Sequence, residues 1–230
     1  MTVADEKQLA GLIDHTLLGA TVTGEQIKQL CREAKEYGFC AVSVDPRWVA
    51  LAAEELQGCK VKVGGVVSLP LGADSTKVKV ASAKEAIFAG ADEIDMVADL
   101  AAIIEGDSQY LSNQLQAVLK VCRSMRPAVL LKVIIESAAL TREQKIFACE
   151  IADKCGVDFV KTSTGMHPAG GATIEDVKLM KESAPNCKVK AAGGIRTVKQ
   201  VYEMLEAGAE RIGTSSGVQI INEFREGRPQ

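Results

Sequence analysis

Eight short apolar runs, each followed by a stretch of helical periodicity, limit what this chain can fold into more than any other feature of it. The runs fall at 12–17, 40–44, 61–68, 92–97, 129–135, 157–162, 187–192 and 210–214. Helical spacing follows at 23–37, 46–57, 75–89, 98–124, 141–155, 173–184, 197–207 and 216–225. Short, nearly continuous apolar runs alternating with helices are the pattern of parallel strands covered on their faces by crossover helices. Helix-end signals agree: Thr23 precedes Gln26 and Thr141 precedes Gln144 as capping-box pairs, and Gly38, Gly90, Gly156 and Gly208 close helices. The turns at 90–92, 156–158 and 208–210 repeat one chemistry, Gly-Ala-Asp, Gly-Val-Asp and Gly-Ala-Glu. With no linker-like segment to divide it, the chain is expected to be α/β, one domain over 1–230: a (β/α)8 TIM barrel near its lower size limit, with a short N-terminal helical extension. An open doubly wound sheet is the competing architecture. It would want a glycine-rich nucleotide loop after its first strand, and Asp14-His15-Thr16-Leu17-Leu18 is not one.

In a barrel the chemistry lies at the C-terminal strand ends. The run ending in Phe159-Val160-Lys161 places a lysine in an otherwise apolar row with Val157 and Phe159. A desolvated lysine favours its neutral amine, which can attack a carbonyl and form a Schiff base. The bland alternative, a strand-end lysine reaching water, is weakened by its company. Other strands offer Asp14 and Thr16, Glu93 and Asp95, Lys132 with Glu136, and Lys190. Each charge interrupts an apolar row, so the charges can offset one another only by converging. Nearby cations such as Lys190 would favour the neutral form of Lys161, and Asp95 could pass protons through water. A purely structural ion network is the competing reading.

Gly193-Gly194, and Gly213-Thr214-Ser215-Ser216-Gly217 before the last helix, follow strands seven and eight, where barrels grip phosphate. They predict a phosphorylated substrate held by Gly193, Gly194, Gly213, Ser215 and Ser216. Gly170 and Gly171 could add backbone donors, although a flexible loop is their default. His15 reads as a hydrogen-bonded core histidine near Asp14 as readily as a participant, His167 as a surface residue, and Trp48 as packing.

A net charge of −3 argues against nucleic acid as the partner, and no apolar run is long enough for a membrane span. The seven cysteines show no C-x-x-C pair and only two histidines are present, so neither a disulfide framework nor a metal site is expected. The N-terminus lacks a signal-peptide layout. A cytoplasmic protein working without a cofactor is expected.

The chain resembles the deoxyribose-phosphate aldolase family, class I aldolases of (β/α)8 fold, over essentially its full length. The resemblance rests on Asp14-His15-Thr16-Leu17-Leu18, Glu93-Ile94-Asp95-Met96-Val97, Leu131-Lys132-Val133-Ile134-Ile135-Glu136, Phe159-Val160-Lys161-Thr162-Ser163-Thr164-Gly165 and Lys190-Ala191-Ala192-Gly193-Gly194-Ile195-Arg196, in that order. It implies a Schiff base on Lys161, formed with acetaldehyde or with the aldehyde of open-chain 2-deoxyribose 5-phosphate. Lys190 would hold the pKa of Lys161 down, Asp95 would act as acid/base through water, Asp14 would belong to the relay and Lys132 would line the pocket. Thr164 and Gly165 would join the substrate and phosphate region, where Thr16, from its strand end, and Gly171, from its loop, are also expected. Partners would be small phosphorylated sugars and aldehydes, and barrels of this kind often pair, which leaves a homodimer or larger homo-oligomer open.

The sequence departs from the family pattern at Ser43, where a cysteine is common, at Asp45 in place of asparagine, at Met166 in place of a lysine, and in a tail 224–230 without a terminal tyrosine. Another Schiff-base sugar-phosphate aldolase or transaldolase, a metal-dependent aldolase, and a non-catalytic phosphosugar-binding barrel are the rival readings.

Overall fold

A computed structural model describes residue 3 and residues 5–227. All eight expected strands form, each one or two residues shorter at an end: β1 Ile13–Leu17, β2 Ala41–Val44, β3 Lys62–Val67, β4 Glu93–Val97, β5 Leu130–Ile134, β6 Phe159–Lys161, β7 Lys188–Ala192 and β8 Arg211–Thr214. They pair in parallel in chain order, and β8 returns to β1 with Asp14 opposite Gly213, so the sheet closes into a barrel.

The helices are α1 Glu6–Ala10, α2 Gly24–Tyr37, α3 Val49–Glu55 (entered through a 3-10 turn, Pro46–Trp48), α4 Thr76–Phe88, α5 Leu100–Glu105, α6 Ser108–Ser124, α7 Arg142–Cys155, α8 Ile174–Ser183, α9 Val198–Glu206 and α10 Gly217–Glu226. The capping boxes at Thr23 and Thr141 are made, and Thr197 with Gln200 adds a third. The expected single helix over 98–124 is instead two. Gly106 turns left-handed (φ 71°), and the Asp107 carboxylate then caps a new start by accepting from the Tyr110 N–H at 2.9 Å. The N-terminal extension is α1, which packs against α10, with Arg225 paired to Glu6 at 2.7 Å. Among the described residues no helix is long and apolar enough to cross a membrane.

Strand alternation divides the molecule into two interiors. Outward-facing Val42, Ile94, Leu131, Val133 and Val189 pack under the helices and are buried almost completely. The opposite parity, pointing into the barrel, carries Asp14, Glu93, Asp95, Lys132, Lys161 and Lys190, all at most 3 % exposed. A barrel normally fills this space with branched apolar side chains. Here much of it is filled with charge.

Candidate active site

The converging charges offset one another in pairs. Asp95 is the hub: its Oδ2 accepts from Lys161 Nζ and from Lys190 Nζ, each at 2.7 Å, and its Oδ1 from Lys132 Nζ at 2.7 Å. Lys190 also donates to Asp14 at 2.5 Å, and Lys132 is paired with Glu93 at 2.5 Å. Below them Arg211 donates to Asp14 Oδ1 at 2.7 Å and lies 3.3 Å from Glu93 Oε2.

Burial and neighbours push these groups in different directions. Burial is the strongest influence on Lys161 and lowers its pKa to about 8; the Asp95 carboxylate opposes this, and the Lys190 and Lys132 charges reinforce it. Burial acts against the charge on Lys132 too, but Asp95, Asp14 and Glu93 together outweigh it and hold the pKa of Lys132 above its ordinary value. Burial would raise both Asp14 and Asp95. The cations around them win, and both carboxyls sit below the usual carboxylate range. Lys161 is thus a primary amine readily freed of its proton, against ionised carboxylates.

It also faces space. A cavity of about 240 Å³ at the C-terminal strand ends is lined by Lys161, Thr16, Thr164, Gly165, Gly193, Gly194, Gly213 and Ser215, all singled out from the sequence. Arg196 lines it as well and supplies a cation at an exposed position. Lys132, expected on the pocket wall, lies beneath it, 1 % exposed, because the carboxylates that hold it are deeper in the barrel. Gly171 is not on the wall either. Its Cα packs on the Gly193 backbone so closely that a Cβ there would come within 2.2 Å of the Gly193 carbonyl oxygen. Ser216 lines a separate surface groove and its N–H is taken by Thr214 Oγ1 at 2.9 Å.

Three further residues bear on the site: Glu136, expected among the converging charges but turned instead to the loop after β6, and Arg196 and Arg211, which were given no role from the sequence. Glu136, at a left-handed backbone position (φ 51°), accepts from the Thr164 hydroxyl at 2.6 Å and fixes the loop after β6. Arg196 directly follows the Gly-Gly-Ile turn, which was the signal for it. Arg211 opens β8 at the end opposite the cavity, where a reading confined to C-terminal strand ends does not look.

His15 has the parity opposite to Asp14, faces α2, and bonds Glu33 Oε2 at 2.8 Å, not Asp14. His167 sits in an exposed loop, and Trp48 is half-buried with Arg47 over its ring. Ser43 is buried inside the barrel without a hydrogen-bond partner, Asp45 accepts from the Gly19 N–H at 2.9 Å, and Met166 is 43 % exposed at the cavity rim. Of the tail, residues 228–230 lie outside the described residues. Among the described residues no group of three His, Cys, Asp or Glu side chains is placed to hold a metal ion. Asp14, Glu93 and Asp95 do converge, but their oxygens are occupied by lysine and arginine.

Residues 9–223 match the family described as DeoC/LacD family aldolase. The chain belongs to that family. Its relatives include the deoxyribose-phosphate aldolase of Geobacillus sp. (strain WCH70), 49% identical over 94% of this chain and 96% of that one. The deoxyribose-phosphate aldolase of Thermococcus gammatolerans is 51% identical over 94% of this chain and 96% of its own. In three dimensions the chain resembles the deoxyribose phosphate aldolase from Aeropyrum pernix, described as a tetramer, with a TM-score of 0.90 at 30% identity over 97% and 93% of the two chains. Placing a free-able lysine at the mouth of a charged barrel suits the carbonyl chemistry of such a family.

Proposed function

We propose that the chain is a class I aldolase that reversibly cleaves 2-deoxy-D-ribose 5-phosphate to acetaldehyde and D-glyceraldehyde 3-phosphate. The observation that carries this reading is Lys161, buried, lowered to about 8, and opening onto a cavity whose far wall is glycine backbone and hydroxyl. The Lys161 amine adds to the C1 aldehyde and water leaves, giving an iminium. Loss of the C3 hydroxyl proton then breaks the C2–C3 bond, whose electron pair goes into the enamine of acetaldehyde. D-glyceraldehyde 3-phosphate departs, the enamine is protonated at C2, and water releases acetaldehyde from Lys161. Asp95, ionised and bonded to Lys161, passes protons through water, with Asp14 next in the chain through Lys190. Lys190 and Lys132 add positive charge beside Lys161 and favour its neutral amine. Gly193, Gly194, Ser215 and the start of α10 offer backbone N–H groups to the phosphate, and Arg196 adds a charge.

On this reading residues 1–230 act as one cytoplasmic domain on small phosphorylated sugars and aldehydes. A homo-oligomer is part of the proposal, because Phe88 (78 %) on α4 and Ile104 (57 %) on α5 stand exposed. Borohydride trapping with acetaldehyde, followed by peptide mass mapping, tests the chemistry. The expected result is one reduced adduct, on Lys161, formed only with aldehyde present. An adduct on Lys190 or Lys132, or none, would overturn it.

A further inference from the structure

Four cations, Lys132, Lys161, Lys190 and Arg211, face three carboxylates, Asp14, Glu93 and Asp95, inside the barrel. Every one of these carboxylates contacts at least two of the cations. Among the described residues the other strands add no buried charge to it: β2 is Ala41-Val42-Ser43-Val44, Lys62, at the start of β3, points out to Asp92 at 3.1 Å, and Lys188, which opens β7 with the parity of Lys190, is exposed at the end of the barrel with its Nζ 5.7 Å from the Phe159 ring centroid. Cys40, just before β2, is a further titratable group near Arg211, and burial raises its thiol pKa, which keeps it neutral. The enclosed network is therefore balanced when one of its lysines has given up its proton, and in excess by one positive charge when none has. An enclosed, poorly hydrated network resists such an excess.

Arg211 creates that excess, and does so without touching the cavity. It enters at the start of β8, its side chain 11 % exposed at the end of the barrel opposite Lys161, with its guanidinium 5.4 Å from the Phe159 ring centroid. From there the contacts run unbroken from Arg211 to Asp14, Lys190, Asp95 and Lys161. We infer that Arg211 is a positioning residue for protons: as the fourth cation of a closed network it sets the proton occupancy of Lys161 from across the barrel. The inference rests on the proposal that Lys161 is the nucleophile. It assigns Arg211 no contact with substrate, and makes Glu93 its counterweight.

The test is the pH profile of kcat/KM for 2-deoxyribose 5-phosphate cleavage, with trapping on Lys161 mapped in every protein. The variants are Arg211→Met, Arg211→Lys, Glu93→Gln and the double variant Arg211→Met/Glu93→Gln. In Arg211→Met three cations face three carboxylates, Lys161 retains its proton, and the acid limb moves to higher pH by roughly half a unit or more. Glu93→Gln moves it to lower pH. The double variant restores the excess of one and returns the limb to within a few tenths of a unit of the parent, and Arg211→Lys, which keeps the charge, leaves it in place. Saturating-pH KM stays within about twofold throughout, because the phosphate grip is at the other end. A limb unmoved in both single variants, moved the same way in both, or displaced further in the double variant overturns the inference. Should Arg211→Met not fold, Glu93→Gln decides alone, since an unmoved limb there is sufficient refutation. Absence of any adduct on Lys161 in the parent protein is a different failure and would remove the proposed function itself.

Discussion

Among the described residues two lysines are buried with pKa values lowered to about 8, chiefly by burial, and of these two Lys161 alone opens onto a cavity. Lys161 is 3 % exposed, ends β6 and reaches the cavity; Lys79 is fully enclosed on α4, beside α6. Lys79 Nζ donates to the Val97 carbonyl oxygen at 2.8 Å and to Gln114 Oε1 at 2.7 Å, with no carboxylate in contact. Both amines are easily freed of a proton. The difference is what surrounds the lone pair: in one case a space that admits a carbonyl carbon, in the other two acceptors and packed side chains. A lowered pKa therefore does not identify a nucleophile in this fold. On the proposed function access does, and Lys79 serves instead to tie the end of β4, two residues beyond Asp95, to the helical layer.

Substitution separates the two roles most sharply. Lys161→Met is expected to lower kcat by roughly 10⁴-fold or more and to abolish the acetaldehyde adduct, whereas Lys79→Met keeps the adduct and a kcat within about tenfold, measured by release of D-glyceraldehyde 3-phosphate. If both variants lose the adduct, the contrast is wrong. A subtler change blurs it: a methyl group at Gly213 would sit 3.0 Å from Lys190 Cε, so Gly213→Ala displaces Lys190 from Asp95 and costs about 10²-fold in kcat with the fold intact by circular dichroism. Parental kinetics in that variant would show that the glycine gives Lys190 no essential room.

Stability gives the smallest and most selective difference. The unfolded chain keeps the proton on Lys79 until about pH 10.5 and the folded protein releases it near 8, so within that window the unfolded state binds more protons and stability rises with pH. The shift of Lys161 is shared by the parent and Lys79→Met and cancels between them. Parent minus variant unfolding free energy should thus climb by up to about 1.4 kcal/mol per pH unit between 8 and 10.5, and be flat below 8, in urea titrations. A flat difference across the whole range would mean that Lys79 keeps an ordinary pKa when folded.

What could be read from the chain follows the same division. The strands were legible because each is an apolar run bounded by turn residues, and the inward charges were legible because they break those runs at period two. Lys79 was not, since a lysine among Lys77, Val78, Val80 and Lys84 reads as a solvated helix face. Whether it points in or out is decided by Gln114, thirty-five positions away. Arg211 escaped because it opens its strand. Gly171 and Ser216 do not line the cavity for another reason: spacing shows that a loop follows a strand, but not which way its backbone turns, and here Gly171 packs on the Gly193 backbone and the Ser216 N–H turns to Thr214 Oγ1. The break at Gly106 likewise hid inside a stretch whose apolar spacing continues on both sides.

The contact between Asp14 and Arg211 spans 197 positions and joins the first strand to the last. A chain still being synthesised has Asp14 and Lys161 in water before Arg211 arrives, and a lysine in water is mostly ammonium at neutral pH and therefore a poorer nucleophile. On the proposed function the lowered pKa of Lys161 belongs to the finished ring, whose burial and charges produce it. On that proposal, the pairing of β8 with β1 that closes the barrel also arms Lys161.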